Sequence, residues 1–142
     1  MDLSSIGKVG QILSTLDAEG RKRFLALAEK RHVAAGTAIF REGEPGSDFF
    51  VLAKGRLRVT VDNLGTEKEV AVLEHGAFFG EGAMMGPHVR SATVIALDES
   101  ELVAFPGVAV HDLLKTYPAA VEALNRVGLL RAEATMEKLS ES

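Results

Sequence analysis

Arg90 is the residue around which chemistry can be built. It closes an irregular stretch, Phe78-Phe79-Gly80-Glu81-Gly82-Ala83-Met84-Met85-Gly86-Pro87-His88-Val89, and opens the run Ser91-Ala92-Thr93-Val94. An arginine presents five donors in a fixed fork, a geometry suited to an oxyanion. A guanidinium can meet two phosphate oxygens in parallel, the strong charge-assisted arrangement. Gly80 and Gly82 let backbone N–H groups come close to a ligand. Between them Glu81 can accept hydrogen bonds from a diol. The Ser91 hydroxyl and the Ala92 N–H add donors, and one helical turn over residues 82–85 would turn further free N–H groups toward the anion. An anion and a sugar read within one loop suggest a phosphorylated nucleoside.

The elements that must hold this loop are mostly strands. From His32 to Phe105 the hydropathy pattern has the period of strands. Ala38-Ile39-Phe40 is short and is turned by Glu44-Pro45-Gly46. Phe49-Phe50-Val51-Leu52 follows, with a turn at Lys54-Gly55. Residues 56–61 alternate cleanly, Asn63-Leu64-Gly65 turns the chain, and residues 67–73 alternate charge and valine. Residues 91–96 and 101–105 complete the set. Short strands divided by glycine turns mean a sandwich or barrel.

Helical patterns flank this region. Asp17 is a good N-cap, and Phe24, Leu27 and Ala28 share one face, with Arg21, Lys22, Glu29 and Lys30 on the other. Ile6, Val9, Ile12, Leu13 and Leu16 suggest a shorter helix upstream, weakened by Gly7 and Gly10. After Pro106, residues 108–117 form one helical segment stopped at Pro118, and residues 119–139 a second. Ala120, Ala123, Val127, Leu130 and Ala134 make an apolar stripe along it. The expected organisation is one domain over 1–142: helices over 1–31, strands over 32–106, helices over 107–139.

Composition sets limits on the function. The 142 residues carry a net charge of −4 without a run of like charges, so no basic stripe for nucleic acid is expected. A single arginine can still set the local field for one small anion. No cysteine is present, which excludes disulfides, thiolate metal sites and cysteine nucleophiles. His32, His75, His88 and His111 have no metal-ligand spacing. No Ser-His-Asp set, P-loop lysine or catalytic carboxylate pair stands out. The start of the chain lacks the pattern of a secretory leader, and no apolar run approaches bilayer-spanning length. A cytoplasmic, non-enzymatic protein that contacts no membrane is therefore expected.

The segment Phe79-Gly80-Glu81, with Arg90-Ser91-Ala92 after a short insert, resembles the phosphate-binding cassette of the cyclic nucleotide-binding domain family. Gly36-Thr37-Ala38-Ile39-Phe40-Arg41-Glu42-Gly43-Glu44-Pro45-Gly46-Ser47-Asp48 resembles that family's opening hairpin, and Gly55 before residues 56–59 is also similar. Two motifs in order carry more weight than one glycine pattern. The resemblance, over roughly residues 6–135, implies a mainly β fold with flanking helices: a jelly-roll-like β-roll with N-terminal helices and two C-terminal ones. It implies a ligand rather than a cofactor, cAMP before cGMP, bound by Phe79, Gly80, Glu81, Gly82, Ala83, Arg90, Ser91 and Ala92. Val70 and Val72, expected to face inward, would add apolar contacts to the base, and Glu81 would take the ribose 2′-hydroxyl. Gly82 departs from the family, which more often has an apolar side chain there. Asn125, Arg126, Leu129 and Arg131 are candidates to cover the base. Phe105, Val108 and Leu113 are candidates for the hinge through which occupancy moves the C-terminal helices. Those helices are also where a homodimer or an effector domain would meet the chain. A family member that has lost its ligand and acts as a docking or dimerisation module is the alternative.

Overall fold

The structure is a computed structural model that describes residues 12–80 and 89–126. Among the described residues eight strands form two antiparallel sheets. The strands are β1 (Glu29–Val33), β2 (Ala38–Phe40), β3 (Phe49–Lys54), β4 (Leu57–Asn63), β5 (Thr66–Leu73), β6 (Phe78–Phe79), β7 (Thr93–Ala96) and β8 (Ser100–Phe105). The first sheet has the order β1-β8-β3-β6 and the second β2-β7-β4-β5. That pairing is a jelly roll, as the strand pattern and the resemblance implied. The helices are α1 (Ala18–Ala26) and α2 (Gly107–Leu114), with a further helical stretch over residues 118–126.

Strand alternation divides the interior into two cores. On one face of the first sheet, Phe49, Val51, Phe78, Val103 and Phe105 pack against Phe24, Val110, Leu114, Ala120 and Leu124 of the helices. On the other face, Phe50, Leu52, Phe79, Leu102 and Ala104 meet Leu57, Val94 and Ala96 of the second sheet. The layers are thus helices, first sheet, second sheet. Ile12, Leu13 and Leu16 are buried in the helix-side core, as their spacing suggested; Ile6 and Val9 lie outside the described residues.

Several boundaries differ from expectation. The first helical region ends at Ala26, and Glu29 and Lys30 belong to β1 rather than to a helix reaching residue 31. β1 is an edge strand paired only with β8. Its residues Glu29-Lys30-Arg31-His32 are charged or polar on both faces, so no alternation shows, and such charges guard a sheet edge. The two-residue strand β6 was hidden in the loop pattern. Pro118 opens the last helical stretch rather than merely stopping the one before, because a proline N–H is not needed in a first turn. α2 itself stops at Leu114.

Candidate ligand-binding site

Arg90 is not a surface arginine: only 6% of it is exposed. Its backbone is clamped by the loop after β2. The Arg90 N–H donates to the Glu44 carbonyl at 2.9 Å, and the Gly43 N–H donates to the Arg90 carbonyl at 2.9 Å. Pro45 and Val89 form a β-bridge beside them. The side chain then turns under the end of β6. Nη1 donates to the Gly80 carbonyl at 3.2 Å, and the guanidinium carbon lies 4.1 Å from the centre of the Phe40 ring and 5.9 Å from that of Phe50.

Two glycines make room for the guanidinium. Gly80 has φ +87, a left-handed conformation that disfavours any side chain. A Cβ there would stand 3.1 Å from Arg90 Nη1 and 3.0 Å from the Asp48 carbonyl. At Gly46 a Cβ would stand 3.0 Å from Arg90 Nε. The pocket wall for the arginine is therefore backbone on two sides and aromatic ring on a third.

Among the described residues this cation is under-compensated. Burial pushes the guanidinium pKa down, and the carboxylates of Asp48 and Glu44 only partly counter it. Among the described residues no carboxylate forms an ion pair with Arg90. A buried charge without a close counter-charge is costly, and an incoming anion relieves that cost.

The loop that clamps Arg90 also reaches the C-terminal helices. Asp48 Oδ1 accepts from the Gly107 N–H at 3.2 Å. It thereby serves a free N–H in the first turn of α2, where Pro106 supplies no side-chain cap. Gly107 is in direct contact with this loop, because a Cβ there would overlap the Ser47 carbonyl. Residues 46–48 thus have Arg90 at one end and the start of α2 at the other.

The remaining candidates fall as follows. Phe79 is buried in the inter-sheet core and stacks on Phe50 at 5.2 Å. Ser91 is exposed and Ala92 half-buried, directly after Arg90. Glu81, Gly82, Ala83, Met84 and Met85 lie outside the described residues. Val72 does not face inward: it is 42% exposed and stands opposite Arg58. The inward residue of that end of β5 is Leu73, packed on the inter-sheet core. A register shift beside Val59 leaves Val70 without a partner across the ladder. Val108, a hinge candidate, is 66% exposed; Val110 and Leu114, one turn apart, carry the buried face of α2 instead. Phe105 is fully buried and stacks on both Phe24 and Phe49 at 4.9 Å, and Leu113 packs at the edge of the same core. Asn125 and Arg126 are exposed on residues 118–126; Leu129 and Arg131 lie outside the described residues.

Sequence reasoning passed over Phe40, Gly46 and Asp48 as site residues. Gly43 and Gly46 on either side of Pro45 were the available signal, read as a turn and as part of the resemblance to the family's opening hairpin. No group of histidines and carboxylates among the described residues could hold a metal ion, and no described helix is long and apolar enough to cross a membrane.

Fold and geometry together define a β-roll that buries one arginine, and the comparisons with known proteins agree on the fold. Residues 30–117 match the cyclic nucleotide-binding domain family, and the chain belongs to that family. It is 37% identical over 87 residues to human cGMP-dependent protein kinase 2, covering 60% of this chain and 11% of the kinase. It is 33% identical over 103 residues to the cAMP-dependent protein kinase regulatory subunit of Pyricularia oryzae, covering 72% of this chain and 26% of that protein. The chain thus spans only a small part of the curated relatives it matches. Among solved structures it resembles the catabolite activator protein of Thermus thermophilus, with a TM-score of 0.76 at 25% identity over 91% of this chain and 61% of that one. The regulatory domain of Toxoplasma gondii PKA with cAMP superposes with a TM-score of 0.71 at 23% identity, over 81% of this chain and 46% of that one, a likeness of fold.

Proposed function

We propose that this domain is a non-catalytic sensor that binds a cyclic mononucleotide with its phosphate on Arg90 and passes occupancy to the C-terminal helices. The observation that carries the reading is the Arg90 guanidinium, buried between Gly46, Gly80 and Phe40 without an ion-paired carboxylate among the described residues. A singly charged cyclic phosphate compensates that charge. The Ser91 hydroxyl and Ala92 N–H add donors, and Glu81 takes the ribose 2′-hydroxyl. Phe79, Gly82 and Ala83 complete the loop around the ligand, with Val70 at the base. The cAMP preference taken from the sequence resemblance has support in the regulatory-subunit relative, whereas the kinase relatives are cGMP-dependent.

The route to the helices follows from the 46–48 loop. An anion on Arg90 changes what the guanidinium and its neighbours Gly46 and Gly80 require of the backbone. The same loop holds the first turn of α2 through Asp48 and Gly107. Occupancy biases the helices by the difference in affinity between their two positions. The outward faces of those helices are where a second copy or an effector domain would respond, in a cytoplasmic setting.

Calorimetry tests the reading. The domain is expected to bind cAMP or cGMP with a free energy of roughly 8 to 12 kcal/mol, nanomolar to micromolar. Arg90→Ala is expected to lose about 10- to 1,000-fold in affinity, the loss of a charge-assisted bidentate contact. Absence of heat and of any thermal shift at millimolar cAMP and cGMP would leave the ligand-free docking module as the better account.

A further inference from the structure

Arg31 is a second guanidinium on the ring that Arg90 faces. Its carbon lies 5.7 Å from the centre of the Phe50 ring, and that of Arg90 lies 5.9 Å from the same centre. The strand register explains how a residue of the edge strand reaches this place. Arg31 stands opposite Leu102, and Leu102 opposite Leu52. Residues directly opposite in antiparallel strands project to one face, and Leu102 and Leu52 belong to the inter-sheet core. Val33, two residues along β1, packs on that core as well. Arg31 therefore projects to the inner face of the roll, while its side chain stays exposed at the edge.

A cation on an inner face asks for a reason. Among the described residues Arg31 takes part in no ion pair, although Glu29 is two residues away on the same face. Cation–π contact with Phe50 holds it there. An anion fixed on Arg90 would attract a second cation on this face. The long arginine stem lets an exposed side chain swing toward a charge already fixed on Arg90.

We infer that Arg31 is a second ligand-recognising cation of the Arg90 site, acting on the anionic phosphate rather than on the base. The inference rests on the reading of Arg90 as the anion site. A guanidinium that is exposed when empty contributes less than a buried one, so the expected loss is modest.

The test is calorimetry of Arg31→Gln and Arg31→Lys with cAMP and with cGMP, at low and high salt, beside the unsubstituted protein and Arg90→Ala. Arg31→Gln is expected to lose about 5- to 20-fold for both nucleotides alike and to weaken the salt dependence of binding. Arg31→Lys is expected to recover part of the loss, since it keeps the charge, and the melting temperature of the empty protein is expected to stay put. Unchanged affinity in Arg31→Gln, with Arg90→Ala still deficient, would overturn the role of Arg31 and leave the site intact. A loss confined to cGMP would also overturn it, placing Arg31 on a guanine edge, where arginine pairs with O6 and N7. Failure of the unsubstituted protein to bind either nucleotide would instead bring down the reading of Arg90 on which this one stands.

Discussion

The two faces of the first sheet are built from the same strands and do opposite things. Phe49 and Phe50 are neighbours in β3, yet Phe49 enters the helix-side core and Phe50 the inter-sheet core. On the helix side the aromatic rings close on one another: Phe24 on Phe105, Phe105 on Phe49, and Phe49 edge-on to Phe78, each at 4.9 Å. Among the described residues no buried charged group lies there, Arg90 being on the other face. On the other side Phe40, Phe50 and Phe79 form a second aromatic group, but this one carries Arg90 and Arg31 on its rings. One face is sealed and couples the sheet to the helices. The other ends in cationic groups that form no ion pair among the described residues. Strand alternation is what lets a single sheet support both.

The largest expected effect breaks the sealed face. Phe49→Ala removes a fully packed ring from between Phe24, Phe78 and Phe105 and is expected to cost about 3–5 kcal/mol of stability. Chemical denaturation measures it. On the fraction that remains folded, nucleotide affinity is expected to hold, because the ring faces away from Arg90. If affinity falls as far as stability does, the two faces are not separable in the way proposed here.

A smaller effect lies where the faces communicate. Gly107→Ala would drive a Cβ into the Ser47 carbonyl, and overpacking of this kind costs about 1–3 kcal/mol. The substituted residue touches neither Arg90 nor its ring. A shift in cyclic nucleotide affinity in this variant, read by calorimetry alongside its melting temperature, would tie the start of α2 to the anion site through residues 46–48. Lowered stability with unaltered affinity would make the contact a structural one.

How much of this arrangement was legible beforehand depends on the element. Arg90 and Gly80 stood out because the chemistry needs those residue types close together in sequence. β3, β4 and β8 were readable because at least one of their faces is continuously apolar. β1 was not, since an edge strand with charge on both faces gives no period, and Arg31 sits in that strand. The inward setting of Val72 was misjudged because the register shift beside Val59 cannot be seen in one strand alone. Phe40, Gly46 and Asp48 join the site only through tertiary contact with Arg90 and Gly107, a relation no spacing along the chain reveals.

The smallest effect concerns the outer margin of the sealed face, where a polar contact joins the N-terminal helix to the C-terminal region. Tyr117 donates its hydroxyl to Asp17 Oδ1 at 2.8 Å, and the same oxygen accepts the Gly20 N–H at 2.7 Å as the N-cap of α1. The Gly20 amide, and then the Tyr117 hydroxyl, hold the Asp17 carboxyl below its ordinary pKa of 3.8. The hydrogen bond to Asp17 raises that of the Tyr117 phenol above its ordinary 10.0. A lowered carboxyl pKa contributes stability that is complete above the unfolded value and lost as pH falls through the folded one. A raised phenol pKa contributes stability that is complete below the unfolded value and lost as pH rises through the folded one. The contact is therefore whole across the neutral range and fails at both ends. Tyr117→Phe keeps the ring against the helix-side core and deletes only the hydroxyl. Its melting temperature is expected to be slightly below that of the unsubstituted protein at pH 7, with the gap closing as Asp17 becomes protonated below pH 3.8. Nucleotide affinity is expected to be the same in both proteins. A gap that persists unchanged into acid would mean that the hydroxyl acts through packing rather than through Asp17, and a change in affinity would show that the sealed face reaches the ligand by a second route besides residues 46–48.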